Sequence, residues 1–279
     1  MKAKTFHFTG IAAFLVILFS MPVGHAVMIL IEKVFGPSYM YPGAGALGLG
    51  GALMVLWGAR AKGELKATWL GYFGGILVWT GWVEFAFVFQ ARHLGIPPQM
   101  VDGEVATKPE YLLMPSSLGL LLAAMLYFLF NPETRCNFFT WLQRNLRLGI
   151  ERESAPAGRN YSIVTFMETT FVLWFFYILL LLVYDERLFG DDHPATFVVF
   201  AGSLVWSLYL FTRLLKFRRM APAVRYGIPT VVIFWNTVEI LGRWGFFREV
   251  WIEPQRYALE MILILASFVA AGVLAHRMQ

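Results

Sequence analysis

Three ionisable side chains, His25, Glu84 and Glu239, fall inside long apolar runs at one common depth. An ionisable group in hydrocarbon costs at least about 2.5 kcal/mol on insertion scales, so each needs a chemical reason to be there. Glu84 precedes Arg92 by eight residues and Glu239 precedes Arg248 by nine, about 12 Å along a helix in either case. His25 follows Pro22 and Gly24. The backbone donor that Pro22 lacks predicts a bend turning the imidazole toward the interior of a helix bundle.

Two carboxyls and an imidazole at one level can bind a small cation, relay protons or ligate a hard or borderline metal, with His25, Glu84 and Glu239 as the ligands. Trp79, Trp82, Trp235 and Trp244 lie close by in sequence, and aromatic walls suit an organic cation. Glu168, beside Thr165, Thr169 and Thr170, falls toward the opposite side of the membrane and would serve as an inner station. Arg243 stands one turn beyond Glu239, the spacing of a favourable ion pair. Val88 holds the equivalent place in the first half, which makes Glu84 the stronger functional candidate. The same side chains also admit a packing account, with each Glu protonated or hydrogen-bonded to a neighbouring helix and Glu168 satisfied by its threonines.

Such residues need spans to carry them. The chain has 279 residues, of which 58% are hydrophobic and 15% charged, with a mean hydropathy of +0.61. A soluble domain has roughly a quarter of its residues charged, so the deficit here points to a lipid-facing exterior. Eight apolar stretches are long enough to cross about 30 Å of hydrocarbon: 10–31, 42–60, 67–90, 111–130, 161–184, 194–213, 226–247 and 257–276. With the N-terminus inside, sixteen of the 23 Lys and Arg face the cytoplasm, including Lys2, Lys4, Arg135 and Arg152. Asp102, Glu104, Asp185, Glu186, Asp191 and Asp192 fall outside. That bias predicts both termini in the cytoplasm, and the setting that fits is a bacterial cytoplasmic membrane. The net charge of +5 is a matter of topology, which leaves no case for a nucleic-acid partner.

The halves repeat at a spacing of about 155 residues. Glu32-Lys33-Val34-Phe35-Gly36 resembles Glu186-Arg187-Leu188-Phe189-Gly190. The span of Trp79, Val83 and Glu84 matches that of Trp235, Val238 and Glu239, and Arg92, Ile96, Pro98 and Gln99 match Arg248, Ile252, Pro254 and Gln255. The expected fold is therefore all-α, with four-helix repeats over 1–130 and 161–279. Four spans per repeat bring both copies in with the same direction, as in parallel-repeat carriers. Between them, 131–160 forms a linker in which Phe138, Phe139, Leu142, Leu146 and Ile150 make a helical stripe suited to lying on the inner leaflet.

The remaining features read as structural. The Gly- and Ala-rich face of the second span permits close helix contact. Trp and Tyr near span ends act as interface anchors, and Cys136, the single cysteine, excludes an internal disulfide. No nucleotide or zinc-protease motif occurs. The cofactor is undetermined. Three functions stay open. The first is a carrier or channel for a small cation or polar solute, coupled to protons through the intramembrane Glu residues. The second is a membrane enzyme or quinone-interacting redox subunit that takes a lipid-soluble substrate. The third is a non-catalytic anchor that docks a partner protein or a second copy of itself.

Overall fold

The structure, a computed structural model, describes residues 7–101, 104–134, 136–150 and 159–278. Lys2, Lys4, Asp102, Arg135 and Arg152, which entered the charge argument, lie outside the described residues. The described residues are predominantly helical. Among the described residues, seven helical segments are long and apolar enough to cross a membrane: Phe8–Phe35, Pro37–Ala59, Glu64–His93, Pro109–Phe130, Tyr161–Tyr184, Pro194–Leu214 and Ala258–Arg277. The protein is thus a polytopic helical membrane protein by length and composition.

Its contacts group the chain into two units, one of residues 1–86 with 161–279 and the other of 87–160. The larger unit contains α1 (Phe8–Phe35), α2 (Met40–Ala59), α3 (Glu64–Val78) with a π-helical turn over Trp79–Glu84, α8 (Tyr161–Tyr184), α9 (Pro194–Leu214), α10 (Met220–Arg243) and α11 (Ala258–Arg277). Helix α2 packs on α3, and α9 on α10. Helix α3 also packs on α8, while α10 packs on α1, and α11 lies against α1.

Helix α10 is the segment of the expected eight that is absent from the seven. It holds Arg225, Asn236, Glu239 and Arg243 among its 24 residues and ends at Arg243, short of the expected boundary, where Gly245 takes a φ of 74°. Burial explains how so polar a helix is tolerated. Val224, Ile228 and Val231 are fully buried against Ala12, Ala13 and Ile17 of α1. Its N-terminal end is tied to α3 by ions: Glu64 accepts from Arg219, the residue before the helix, at 2.5 Å and from Arg225 at 2.7 Å, and Arg225 also donates to Thr68 at 2.8 Å.

Two turns share one geometry. Gly36 and Gly190 follow Phe35 and Phe189 with φ of 94° and 89°, a conformation that suits glycine because it has no Cβ. In each turn the amide three residues on, of Tyr39 or His193, donates to the glycine carbonyl. In each the ring of that residue meets the phenylalanine, at 6.2 Å for Phe35–Tyr39 and 5.1 Å for Phe189–His193.

The smaller unit contains α4 from Phe87 onward (the helix spans Phe85–His93), a two-stranded antiparallel hairpin (β1 Gln99–Val101, β2 Glu104–Thr107), α5 (Pro109–Leu113), a 3-10 turn leading into α6 (Leu118–Phe130), and α7 (Asn137–Asn145). The hairpin was not expected from the sequence. Helix α7 falls in the linker but is shorter than the apolar stripe implied. Arg147 and Gly149 both take positive φ, so Leu146 caps the helix and Ile150 lies beyond it. Phe139 and Gln143 face α6, Gln143 donating to the Leu129 carbonyl at 2.9 Å. Phe138, Trp141 and Leu146 stay exposed.

The α2–α3–α8 junction depends on a close approach at Ser162, whose hydroxyl donates to Val55 at 2.9 Å. A Cβ on Gly71 would run into the Ser162 backbone, whereas one on Gly50 would meet nothing. Gly71→Ala should therefore destabilise the protein by about 1–3 kcal/mol, seen as a lowered melting temperature in detergent, while Gly50→Ala should not lower it.

Candidate functional site

Glu239 meets two of the other predicted residues, Trp235 and His25. It projects from α10, where the Trp235 indole, one turn earlier, donates to its carboxylate at 2.6 Å. His25 of α1 brings Nε2 to 3.5 Å from the same oxygen. The imidazole stacks over the Trp235 ring at 6.0 Å with 18° between planes. Trp251 closes on Trp235 at 5.0 Å, and Ala26 completes the buried cluster. Pro22, three residues before His25, lies within α1 and leaves the Leu18 carbonyl without its helical donor.

Glu84 is met from another direction. The Tyr177 hydroxyl of α8 donates to its carboxylate at 3.1 Å, and the Tyr177 ring lies 5.9 Å from Trp79. Trp79 is buried with Leu173, Phe176, Val232 and Ile233. In place of the arginine that Glu239 has one turn on, Glu84 thus has a phenol. The two sites are linked by Met21, which packs against both the Trp79 cluster and the Ala26–Trp235–Trp251 cluster.

The π turn bears directly on this geometry. Five residues separate Trp79 from Glu84, and four separate Trp235 from Glu239. An α-helix brings i and i+4 to one face, whereas a π-helix bonds i to i+5. The turn over Trp79–Glu84 is π-helical, so the extra residue is absorbed and each tryptophan stays one turn from its carboxylate.

The other predicted residues take separate places. Arg243 holds Asp191 with Nε at 2.9 and 3.1 Å from the two carboxylate oxygens, and its guanidinium lies 4.4 Å from the Tyr184 ring centroid. Trp244 donates to the Asp191 carbonyl at 2.9 Å and stacks on Phe197. Trp82 is largely exposed, donates to Gly45 at 3.3 Å and lies over Gly48. Trp79 and Trp235 therefore flank the carboxyls, while Trp82 and Trp244 bond to backbone elsewhere. Glu168 sits half-buried on α8, nine residues before Tyr177, about 14 Å along the helix. Thr165 and Thr169 donate back to the carbonyls of Tyr161 and Thr165, so those two hydroxyls are not its donors.

Four participants went unread in the sequence. Tyr177, Tyr184 and Trp251 resemble interface anchors, and Asp191 resembles any other acidic loop residue. Their only signal was that each falls near a span end or a matched segment. Among the described residues no group of three or more His, Cys, Asp or Glu is placed to hold a metal. Compared with protein-family models, curated proteins and solved structures, the chain matches none.

The phenol on Glu84 gives a direct test. A double-mutant cycle with Tyr177→Phe and Glu84→Leu, read as thermal or denaturant stability in detergent, should return a coupling of about 0.6 kcal/mol and at most about 1.7 kcal/mol, the average and the maximum for hydrogen bonds between membrane helices. Additive effects would mean that the two groups do not interact.

Proposed function

We propose that the protein is a carrier or channel of the cytoplasmic membrane for a small cation or polar solute, coupled to protons through Glu84 and Glu239. The observation that carries this reading is the pairing of these two intramembrane carboxyls with titratable rings from other helices, His25 on Glu239 and Tyr177 on Glu84. Groups of this kind within spans mark proton and ion paths. His25 with Glu239 supplies two ligands where a protein-bound zinc ion takes at least three protein ligands, so a proton is the charge that suits the pair.

The scaffold belongs to the same proposal: eight spans in two parallel four-helix repeats, over 1–130 and 161–279, joined by 131–160, with both termini inside. Helix α10, about 36 Å long at 24 residues, is the eighth span, its polar side chains turned to protein partners. The repeat is supported by the glycine turns 154 residues apart and by the π turn that takes up the slip in register. Reciprocal packing of α3 on α8 and of α10 on α1 supports it too. In that arrangement the third helix of each repeat takes its polar partner from the first helix of the other.

One observation favours a second reading. Trp235, Trp251 and Phe247 make a continuous aromatic wall beside Glu239, which also suits a lipid-soluble substrate such as a quinone exchanging protons there. In that case the purified protein would carry a lipid-like ligand.

The full chain in liposomes loaded with a pH-sensitive dye tests the carrier. Glu84→Gln and Glu239→Gln should each cut proton movement about a hundredfold or more while melting as the wild type does. Wild-type flux in both variants would reduce the carboxyls to packing groups. Orientation is tested separately in a Cys136→Ser background. An impermeant maleimide should label Asp192→Cys in intact cells and Gly63→Cys only after permeabilisation; the reverse pattern would overturn the topology.

A further inference from the structure

We propose that α7 docks on anionic phospholipid: Phe138 and Trp141 enter the bilayer interface at the C-terminal end of α6, and Arg144 and Arg147 bind the lipid phosphates there. The inference stands apart from the carrier reading and needs only that α6 crosses the membrane.

The level of α7 is set by its bonds to that span. Gln143 donates to the carbonyls of Leu129 at 2.9 Å and of Asn131 at 3.3 Å, at the very end of α6. Phe139 lies against Phe128 with ring centroids 5.8 Å apart. Helix α6 belongs to the segment Pro109–Phe130, long and apolar enough to span, so its last turn marks one membrane surface. Tyr127 is exposed on that turn, the kind of residue that anchors a span at the interface. These contacts fix α7 at headgroup level.

One side of α7 is already occupied, since Phe139, Thr140 and Gln143 are buried. On the other, Phe138 and Trp141 are three residues apart, hence neighbours on one face, and are 41% and 58% exposed. An apolar outward face with basic residues beside it is the pattern of a helix lying in the interface plane. Arg144 and Arg147 are exposed, and neither guanidinium is paired with a carboxylate among the described residues.

Arg147 also holds an unusual backbone place. Its φ is 52°. Its amide donates to the Arg144 carbonyl and that of Leu148 to the Gln143 carbonyl, a helix-ending motif whose left-handed position glycine usually fills. Side chains other than glycine adopt that conformation at a cost, which a bound phosphate on the guanidinium would offset. On the topology proposed above, the surface concerned is the inner leaflet, whose anionic lipids attract basic residues next to a span.

The full chain with Asn145→Cys in the Cys136→Ser background puts a nitroxide on the outward face, one turn beyond Trp141. In nanodiscs of phosphatidylcholine with an equal share of phosphatidylglycerol, the nitroxide should be shielded from a neutral nickel chelate, and less so in phosphatidylcholine alone. Adding Arg144→Gln with Arg147→Gly should lower the docked-to-free ratio about thirtyfold in the anionic nanodiscs. The melting temperature in detergent should not fall, because glycine suits the backbone at 147. Equal nickel accessibility in the two compositions would overturn the proposal. So would dipolar broadening between nitroxides, which would show a second copy on this face. A lowered melting temperature for the arginine variant would instead assign the guanidiniums to the dipole at the end of α7 and overturn it too.

Discussion

A polar group placed among membrane helices must find its partners within the protein, because lipid offers none. That requirement organises the larger unit. Helix α10 carries two arginines, an asparagine and a glutamate, and each has an identified neighbour: Glu64 for Arg225, Ser203 for Asn236, Trp235 and His25 for Glu239, and Asp191 for Arg243. The partners come from α3, α9, α1 and the α8–α9 loop. The packing of α10 against these elements follows from its polarity as much as from its apolar face on α1.

The two carboxyl sites solve the same problem differently. Glu239 takes a donor from its own helix and an imidazole from α1, and Glu84 takes a phenol from α8. A tryptophan stays one turn from the carboxylate at both sites although the sequence spacing differs, because the backbone over Trp79–Glu84 widens to a π turn.

Hydropathy made most of the fold legible, since lipid-facing helices must be apolar along most of their length. The stretches 161–184 and 194–213 coincide with α8 and α9 to within a residue. Helix α10 was harder to delimit. An enclosed helix need not be apolar, and its residues 220–225 look like a loop until Glu64 is seen beside Arg219 and Arg225. The hairpin at Gln99–Thr107 is too short to leave a periodic trace. At the site, intramembrane charge pointed to Glu239, His25 and Glu84, because such residues are conspicuous against an apolar background. Tyr177 was not distinguishable, since a tyrosine in an apolar helix looks the same whether its hydroxyl reaches a headgroup or a carboxylate. The register slip between the tryptophan and glutamate matches was the one visible trace of the π turn.

The position of α10 in the chain has a consequence for biogenesis. As the eighth span proposed above, a segment carrying Arg225, Glu239 and Arg243 would partition poorly from the translocon when presented alone. The helices it packs on most extensively, α1, α3, α8 and α9, all precede it, so a chain emerging from its N-terminus has most of the receiving surface synthesised before the difficult segment appears. Shuffling the order of these elements, as in a circular permutant that starts at α10, would leave that segment stranded during synthesis even though every contact of the finished molecule were preserved.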